Sequence, residues 1–144
     1  MYKTILLAYD GSREGRLALR EGATLAKTCN SKVVLLAIVD LRTTIALAEA
    51  AGTGAAALQT EDFRAILDEG LERLSKMDLK PEGRLESGDP VERIVATAAD
   101  TRADLVVVGH HRQGAISRWF LGSVTEALND KLACSLLAAR NDFS

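Results

Sequence analysis

The strongest constraint on the fold is an alternation along the chain between short apolar runs and segments with helical periodicity. Four runs are rich in aliphatic residues, and a fifth, weaker candidate lies between two turn-forming segments. The runs are Lys3 to Tyr9, Val33 to Val39, Arg84 to Ser87 (the weaker one), Leu105 to Val108 and Ser135 to Ala139. Apolar runs with little polar alternation are typical of parallel strands covered on both faces. The sequence therefore predicts an α/β fold, an open parallel five-stranded sheet with helices on both faces.

Helical patterns fill the gaps between the predicted strands. They cover Ala18 to Cys29, Phe63 to Met77, Asp89 to Ala98 and Ser123 to Leu132. Asp89-Pro90 predicts a helix start, because Asp is a favoured N-cap and proline suits the first helical position. Ser123 and Glu126 form a capping box that predicts another start. The segment from Arg42 to Thr60 has no clear apolar stripe of the kind an amphipathic helix shows. We interpret it as a long, partly helical excursion that is either a lid or a surface loop.

Composition limits the class of protein. With 144 residues and 47% hydrophobic content, we expect one domain over residues 1–144. A net charge of −2 argues against a nucleic-acid partner, and no apolar run has the length of a membrane span. The N-terminus lacks the pattern of a signal peptide. We expect Cys29 and Cys134 to be free, core-packed thiols of a cytoplasmic protein, although the sequence leaves a disulfide open.

Three of the predicted strands end in residues that suit ligand binding. In open parallel sheets, ligands bind at the carboxyl ends of the strands near the topological switch point. Asp10 could accept hydrogen bonds from a ribose or hold a metal ion, and its structural alternative is to start the turn that caps the first helix. Gly109 and Gly122 could let the backbone approach a phosphate, or could serve turns that need positive φ. Ser123 is expected to be an N-cap whose hydroxyl and following N–H groups could bind phosphate.

Other chemistries find little support in the sequence. The P-loop signature and GxGxxG are absent, and neither a serine nor a cysteine has an evident histidine partner. His110 and His111 are adjacent, so their side chains diverge and make a poor metal site. We therefore predict no catalytic residue and no protein metal site. Any hydrolysis of a bound ligand is expected to be slow, because no general base is evident.

The segment after the fourth strand carries a motif. Gly109 is followed by two residues, then Arg112, then nine residues, then Gly122-Ser123. The turn after the first strand reads Asp10-Gly11-Ser12, and the second strand ends in Ile38-Val39-Asp40. In order and separation these segments resemble the universal stress protein family, whose nucleotide-binding members carry Gly, two residues, Gly, nine residues and then Gly-Ser or Gly-Thr.

The resemblance covers essentially the whole chain and has several implications. It implies a Rossmann-like domain of the type shared with adenine-nucleotide α-hydrolases, paired as a homodimer through the last strand, Leu136 to Ala139. It also implies an ATP or AMP ligand, the former with Mg²⁺, and a stress-response or signalling role. Carried over by position, the site consists of Ala8, Ile38 and Val108 around the adenine, Asp10 and Gly109 at the ribose, and Gly122, Ser123 and Val124 at the phosphates.

Arg112 departs from the family pattern, since a glycine is the usual residue there. A side chain where φ is positive costs about 1 kcal/mol or more, and the guanidinium could occupy the space of a phosphate. Conversely, a guanidinium is a strong phosphate partner and could replace a lost backbone contact. The alternative to nucleotide binding is thus a nucleotide-independent interaction protein of the same fold. A third hypothesis is a small enzyme that uses Asp10 as an acid, base or metal ligand.

Overall fold

The computed structural model describes residues 1–40, 54–110 and 124–140, with helix backbone alone given for 54–59. In chain order the elements are β1 (Thr4–Ala8), α1 (Arg13–Cys29), β2 (Lys32–Asp40), α2 (Gly54–Lys76), β3 (Glu82–Gly88), α3 (Pro90–Thr101), β4 (Leu105–Gly109), α4 (Val124–Lys131) and β5 (Ser135–Ala139). The strand–helix alternation predicted from the sequence is confirmed.

The strands form one parallel sheet in the order β3-β2-β1-β4-β5. The chain moves outward from β1 to β2 and β3, then crosses back to place β4 on the other side of β1. The topological switch point therefore lies between β1 and β4. Ala8 is level with Leu36 of β2, and Leu7 is level with Val107 of β4. This register brings the carboxyl ends of the three central strands to one edge of the sheet.

Among the described residues, each face of the sheet carries two helices, as right-handed crossovers require. On one face, Gly22 of α1 lies against Leu7 and Val107, and Gly70 of α2 lies against Leu35. On the other face, α3 contacts α4 and crosses β2 and β3. The central strands are therefore buried on both sides, which explains their continuous apolar sequences.

Side chains fix the helix starts. The Ser12 hydroxyl accepts a hydrogen bond from the Gly15 N–H at 3.0 Å, and the Asp89 carboxylate accepts one from the Glu92 N–H at 3.0 Å. Pro90 is the first residue of α3, so the predicted start is confirmed. The cap predicted at Ser123 lies outside the described residues.

Strand ends and cysteines differ in detail from the prediction. β3 is longer than expected at both ends, because it pairs with β2 from Glu82 to Gly88. Of the Arg42 to Thr60 excursion, the part from Gly54 onward is helical, and the earlier part lies outside the described residues. Cys29 and Cys134 are free, as expected, and both are half-buried, with Cys134 packed against the core. None of the helices in the described ranges combines the length and apolarity needed to cross a membrane.

Candidate functional site

The apolar candidate residues at the strand ends share one face of the sheet. Leu7, Val107 and Leu35 point toward α1 and α2, as their contacts with the helix glycines show. Because side chains alternate along a strand, the residues an odd number of positions away from these three in each strand point toward the opposite face. Those residues include Ala8, Ile38 and Val108, which are buried to 3%, 0% and 2% exposure. The structure therefore brings the three predicted adenine neighbours together on the face of α3 and α4.

Asp10 lies directly after β1 and has a structural task. Its Oδ1 atom accepts a hydrogen bond from the Ser12 N–H at 3.0 Å, and the side chain is 2% exposed. The intervening Gly11 has φ +80°, and the space beside it is filled by Ile66 of α2. The turn that caps α1 is therefore held by Asp10 and Ser12 together, as the structural alternative predicted. A ribose contact from the same carboxylate remains a prediction.

Gly109 is required for a reason that the sequence did not suggest. Its φ is not in the left-handed region, so the expected turn geometry is wrong for this glycine. A Cβ here would lie 2.5 Å from the carbonyl carbon and oxygen of Glu14 and 2.7 Å from the Gly15 nitrogen. The end of β4 thus packs directly on the backbone of the first turn of α1. This contact lies at the carboxyl ends of β1 and β4, beside the switch point.

The remaining candidates belong to the segment between β4 and α4. Val124 is the first residue of α4 and is half-buried, with Glu126 in the first turn. Arg112, Gly122 and Ser123 lie outside the described residues. The structure therefore places the predicted adenine and ribose residues at the carboxyl ends of the central strands. The predicted phosphate loop stays a prediction from the sequence.

Two features of this region had no role assigned to them from the sequence. Asp40 is fully buried at the end of β2, level with Gly88 of β3. A carboxylate that ends an apolar run is the signal that could have identified it. In addition, the Tyr9 hydroxyl donates a hydrogen bond to Oε1 of Glu69 at 2.8 Å. Glu69 lies on α2, where it also forms an ion pair with Arg73.

Burial and charge set the proton affinities of this pair. Burial, followed by the hydrogen bond to Glu69, raises the pKa of the Tyr9 phenol above its ordinary value. Burial opposes ionisation of Glu69, but hydrogen bonds from Tyr9 and Arg73 outweigh it and hold the pKa of the carboxyl below its ordinary value. At neutral pH the phenol is therefore a donor and the carboxylate an acceptor.

Comparisons with known proteins agree with this architecture. The universal stress protein family model matches residues 1–140. A relative from Staphylococcus saprophyticus, which bears the family's name, is 31% identical over 98% of this chain and 85% of its own length. One from Staphylococcus haemolyticus is 30% identical, with 98% and 86% covered. A universal stress family protein from Burkholderia pseudomallei has a TM-score of 0.76 at 26% identity, with 97% of each chain covered.

Two further structures share the fold and contain nucleotides. A universal stress protein in complex with cAMP has a TM-score of 0.74 at 23% identity, over 96% of this chain and 97% of that one. The universal stress protein from Archaeoglobus fulgidus in complex with dAMP has a TM-score of 0.73 at 19% identity, over 96% and 98%. Sequence motifs, sheet order and family match agree, and the chain belongs to the universal stress protein family.

Proposed function

We propose that this protein binds an adenine nucleotide, AMP or ATP, at the carboxyl ends of β1, β2 and β4, and that it acts as a homodimer in a stress response or in signalling. The observation that carries the proposal is the placement of Ala8, Ile38 and Val108 on one face of the sheet, at the carboxyl ends of β1, β2 and β4. Ligands of open α/β sheets bind at this position. The cAMP and dAMP complexes of proteins with this fold support the choice of nucleotide.

The chemistry of the described residues fits a nucleoside. Ala8, Ile38 and Val108 are apolar, like most of the lining of small-molecule pockets, and a base would contact them by displacing the groups that bury them; the small side chain of Ala8 limits the space taken on β1. The Asp10 carboxylate is an acceptor of the type that ribose hydroxyls require. Its Oδ1 atom already holds the Ser12 N–H, so a ribose would share the carboxylate with the turn. We infer that the turn keeps this acceptor in place before the ligand arrives.

The phosphate end of the proposed site rests on the sequence. Gly122, Ser123 and Val124 supply the motif's helix start, where backbone N–H groups and the helix dipole favour an anion. Arg112 is proposed to contact a phosphate in place of the usual glycine. Mg²⁺, where ATP is bound, would be held chiefly by the phosphates, as is usual for this ion. We propose no catalytic residue, and any turnover of ATP is expected to be slow.

Isothermal titration calorimetry tests the nucleotide site. Asp10→Asn retains the oxygen that accepts from Ser12 but removes the charge, so we expect AMP affinity to fall about tenfold, the loss of one charged hydrogen bond. Asp62→Asn, at an exposed position of α2, is the matched control and should bind AMP as the wild type does. Absence of heat with AMP and ATP at high micromolar concentration would contradict the proposal and favour the nucleotide-independent interaction protein.

Arg112→Gly separates the two roles open to that residue. If the guanidinium contacts a phosphate, the substitution weakens ATP binding more than adenosine binding, because adenosine lacks the phosphates. If the side chain blocks the site, the same substitution strengthens ATP binding. We expect the first result, and a gain of ATP affinity would overturn our assignment of Arg112.

The dimer is proposed at β5, an edge strand of the sheet. Its side chains Leu136, Leu137 and Ala138 are half-buried and apolar, which leaves surface for a partner. The other edge strand, β3, carries Glu82, Arg84 and Glu86, and charged edges resist pairing. Native mass spectrometry reports the subunit count and any retained nucleotide together. We also propose that the protein works in the cytoplasm, because its two cysteines are free, as is usual in a reducing compartment.

A further inference from the structure

A cleft of about 600 Å³ opens between α1 and α2, on the face of the sheet opposite to Ala8 and Val108. Leu19, which is buried, and Met77, which is half-buried, give it apolar surface. Arg16 and Arg20 line it from α1, one helical turn apart. Neither the proposed nucleotide site nor the family motif involves this cleft, and it therefore calls for an explanation of its own.

Charge in the cleft is positive, although the whole chain has a net charge of −2. Arg73 and Lys76 of α2 join the two arginines of α1, while Glu69 and Glu72 are the carboxylates in the lining. Both carboxylates are engaged within α2, Glu69 with Arg73 at 2.8 Å and Glu72 with Lys76 at 3.3 Å. The α1 arginines therefore supply the excess charge. In the described part of the chain, the Arg20 guanidinium has no carboxylate within ion-pair distance.

Two of the basic side chains in the cleft, Arg16 and Arg73, are connected to the sheet through Glu69 and Tyr9. Tyr9, buried directly after β1, donates its hydroxyl proton to Oε1 of Glu69, and the same oxygen accepts from Nε of Arg73. Nε of Arg16 lies 3.8 Å from that oxygen. One carboxylate oxygen thus contacts arginines from two helices, Arg73 through a hydrogen bond and Arg16 through an ion pair. Because Arg73 uses only Nε here, its terminal nitrogens remain available to a ligand.

The spread of the charges indicates the class of ligand. From Glu69 to Lys76 the cleft runs about 10 Å along α2, at 1.5 Å per residue. Arg16 and Arg73 are each 49% exposed, so the guanidinium groups lie along the rim of the cleft. A single phosphate would contact one pair of the basic side chains, whereas several carboxylates along a peptide would contact all of them. An apolar side chain of the same peptide would contact Leu19. We propose that the cleft between α1 and α2 binds an acidic peptide segment of a protein partner, with carboxylates on both sides of an apolar residue.

The test uses a fluorescein-labelled peptide of repeated Glu-Glu-Leu units and, for comparison, the same peptide with Gln in place of every Glu. Amide chemical shifts of ¹⁵N-labelled protein locate the binding site, and fluorescence anisotropy at low salt gives the affinity. We expect shifts around Arg16 to Arg20 and Glu69 to Met77, and none from the Gln peptide. Arg20→Glu should weaken binding about threefold or more. Arg64→Glu on the exposed side of α2 changes the net charge equally and is the control, with affinity unchanged.

Three outcomes would overturn the proposal. Shifts confined to other surfaces would place the peptide elsewhere. Equal losses in Arg20→Glu and Arg64→Glu would show that only bulk charge attracts the peptide. Shifts in the cleft from inorganic pyrophosphate, at concentrations where the Glu peptide causes none, would reassign the cleft to a phosphorylated ligand. Guanidine denaturation of each variant checks that the fold is intact. None of these results depends on whether the protein binds a nucleotide.

Discussion

Gly109→Ala tests the tightest contact at the proposed site. The added Cβ would lie 2.5 Å from the Glu14 carbonyl, whereas ordinary contacts begin at 3.4 Å. Either the end of β4 or the first turn of α1 must therefore move by 0.9 Å. Backbone is on both sides of the gap, so no rotamer change relieves the clash. Overpacking of this kind costs about 1–3 kcal/mol, and at about 2 kcal/mol the Tm falls by roughly 4–8 °C.

Guanidine denaturation followed by circular dichroism measures the free energy of unfolding. Gly83→Ala is the matched control, because its Cβ meets only the Leu71 side chain, at 2.8 Å, on an exposed stretch of β3. We expect that control to change stability by less than about 0.5 kcal/mol, since Leu71 can rotate away and alanine loses less entropy on folding. If Gly109→Ala cost no more than Gly83→Ala, the close approach of β4 to α1 would be refuted.

Two other predictions concern pH. Tyr9→Phe should cost about 1 kcal/mol by removing the hydrogen bond to Glu69. Because the pKa of Tyr9 is raised in the folded state, the stability linked to its neutral form is lost as pH rises above about 10. The phenylalanine variant should therefore lose less stability than the wild type between pH 9 and 11 in urea melts. Asp104→Asn should destabilise the fold at pH 7, because the N–H of Lys3, against the opposing effect of burial, lowers the pKa of that carboxylate. This stability gap should narrow as pH falls below about 4 through the lowered pKa, and a constant gap would contradict the assignment.

The sheet was predictable because its strands are apolar on both faces. In β2, Val33 to Val39 is nearly fully buried, so the run itself marks a central parallel strand. β3 was the weakest prediction for the same physical reason. As an edge strand it is exposed on one side and carries Glu82, Arg84 and Glu86, which dilute the apolar signal. Its full length became evident only from its pairing with β2.

The site was predictable only where local rules determine it. The Asp10 to Ser12 turn and the Asp89 cap follow from neighbouring residues, and the sequence suggested both. The role of Gly109 depends on Glu14, a residue far away in the chain, whose backbone arrives there through the packing of α1. No local pattern carries that information. The Tyr9 to Glu69 bond is likewise tertiary, although the spacing of Glu69 and Arg73 on α2 was a visible clue.

Strand β1 serves both faces of the sheet through the alternation of its side chains. Ala8 points toward the proposed nucleotide, while Tyr9, the next residue, points toward the cleft of α1 and α2 and holds Glu69 there. The two proposals therefore depend on different atoms and can fail separately, the first through Asp10→Asn and the second through Arg20→Glu. Any effect of one ligand on the other has its shortest connection through Tyr9, which adjoins Ala8 in the chain and reaches the cleft by its hydrogen bond to Glu69. Such an effect must also be reciprocal, because a nucleotide that changes peptide affinity by some factor has its own affinity changed by the same factor.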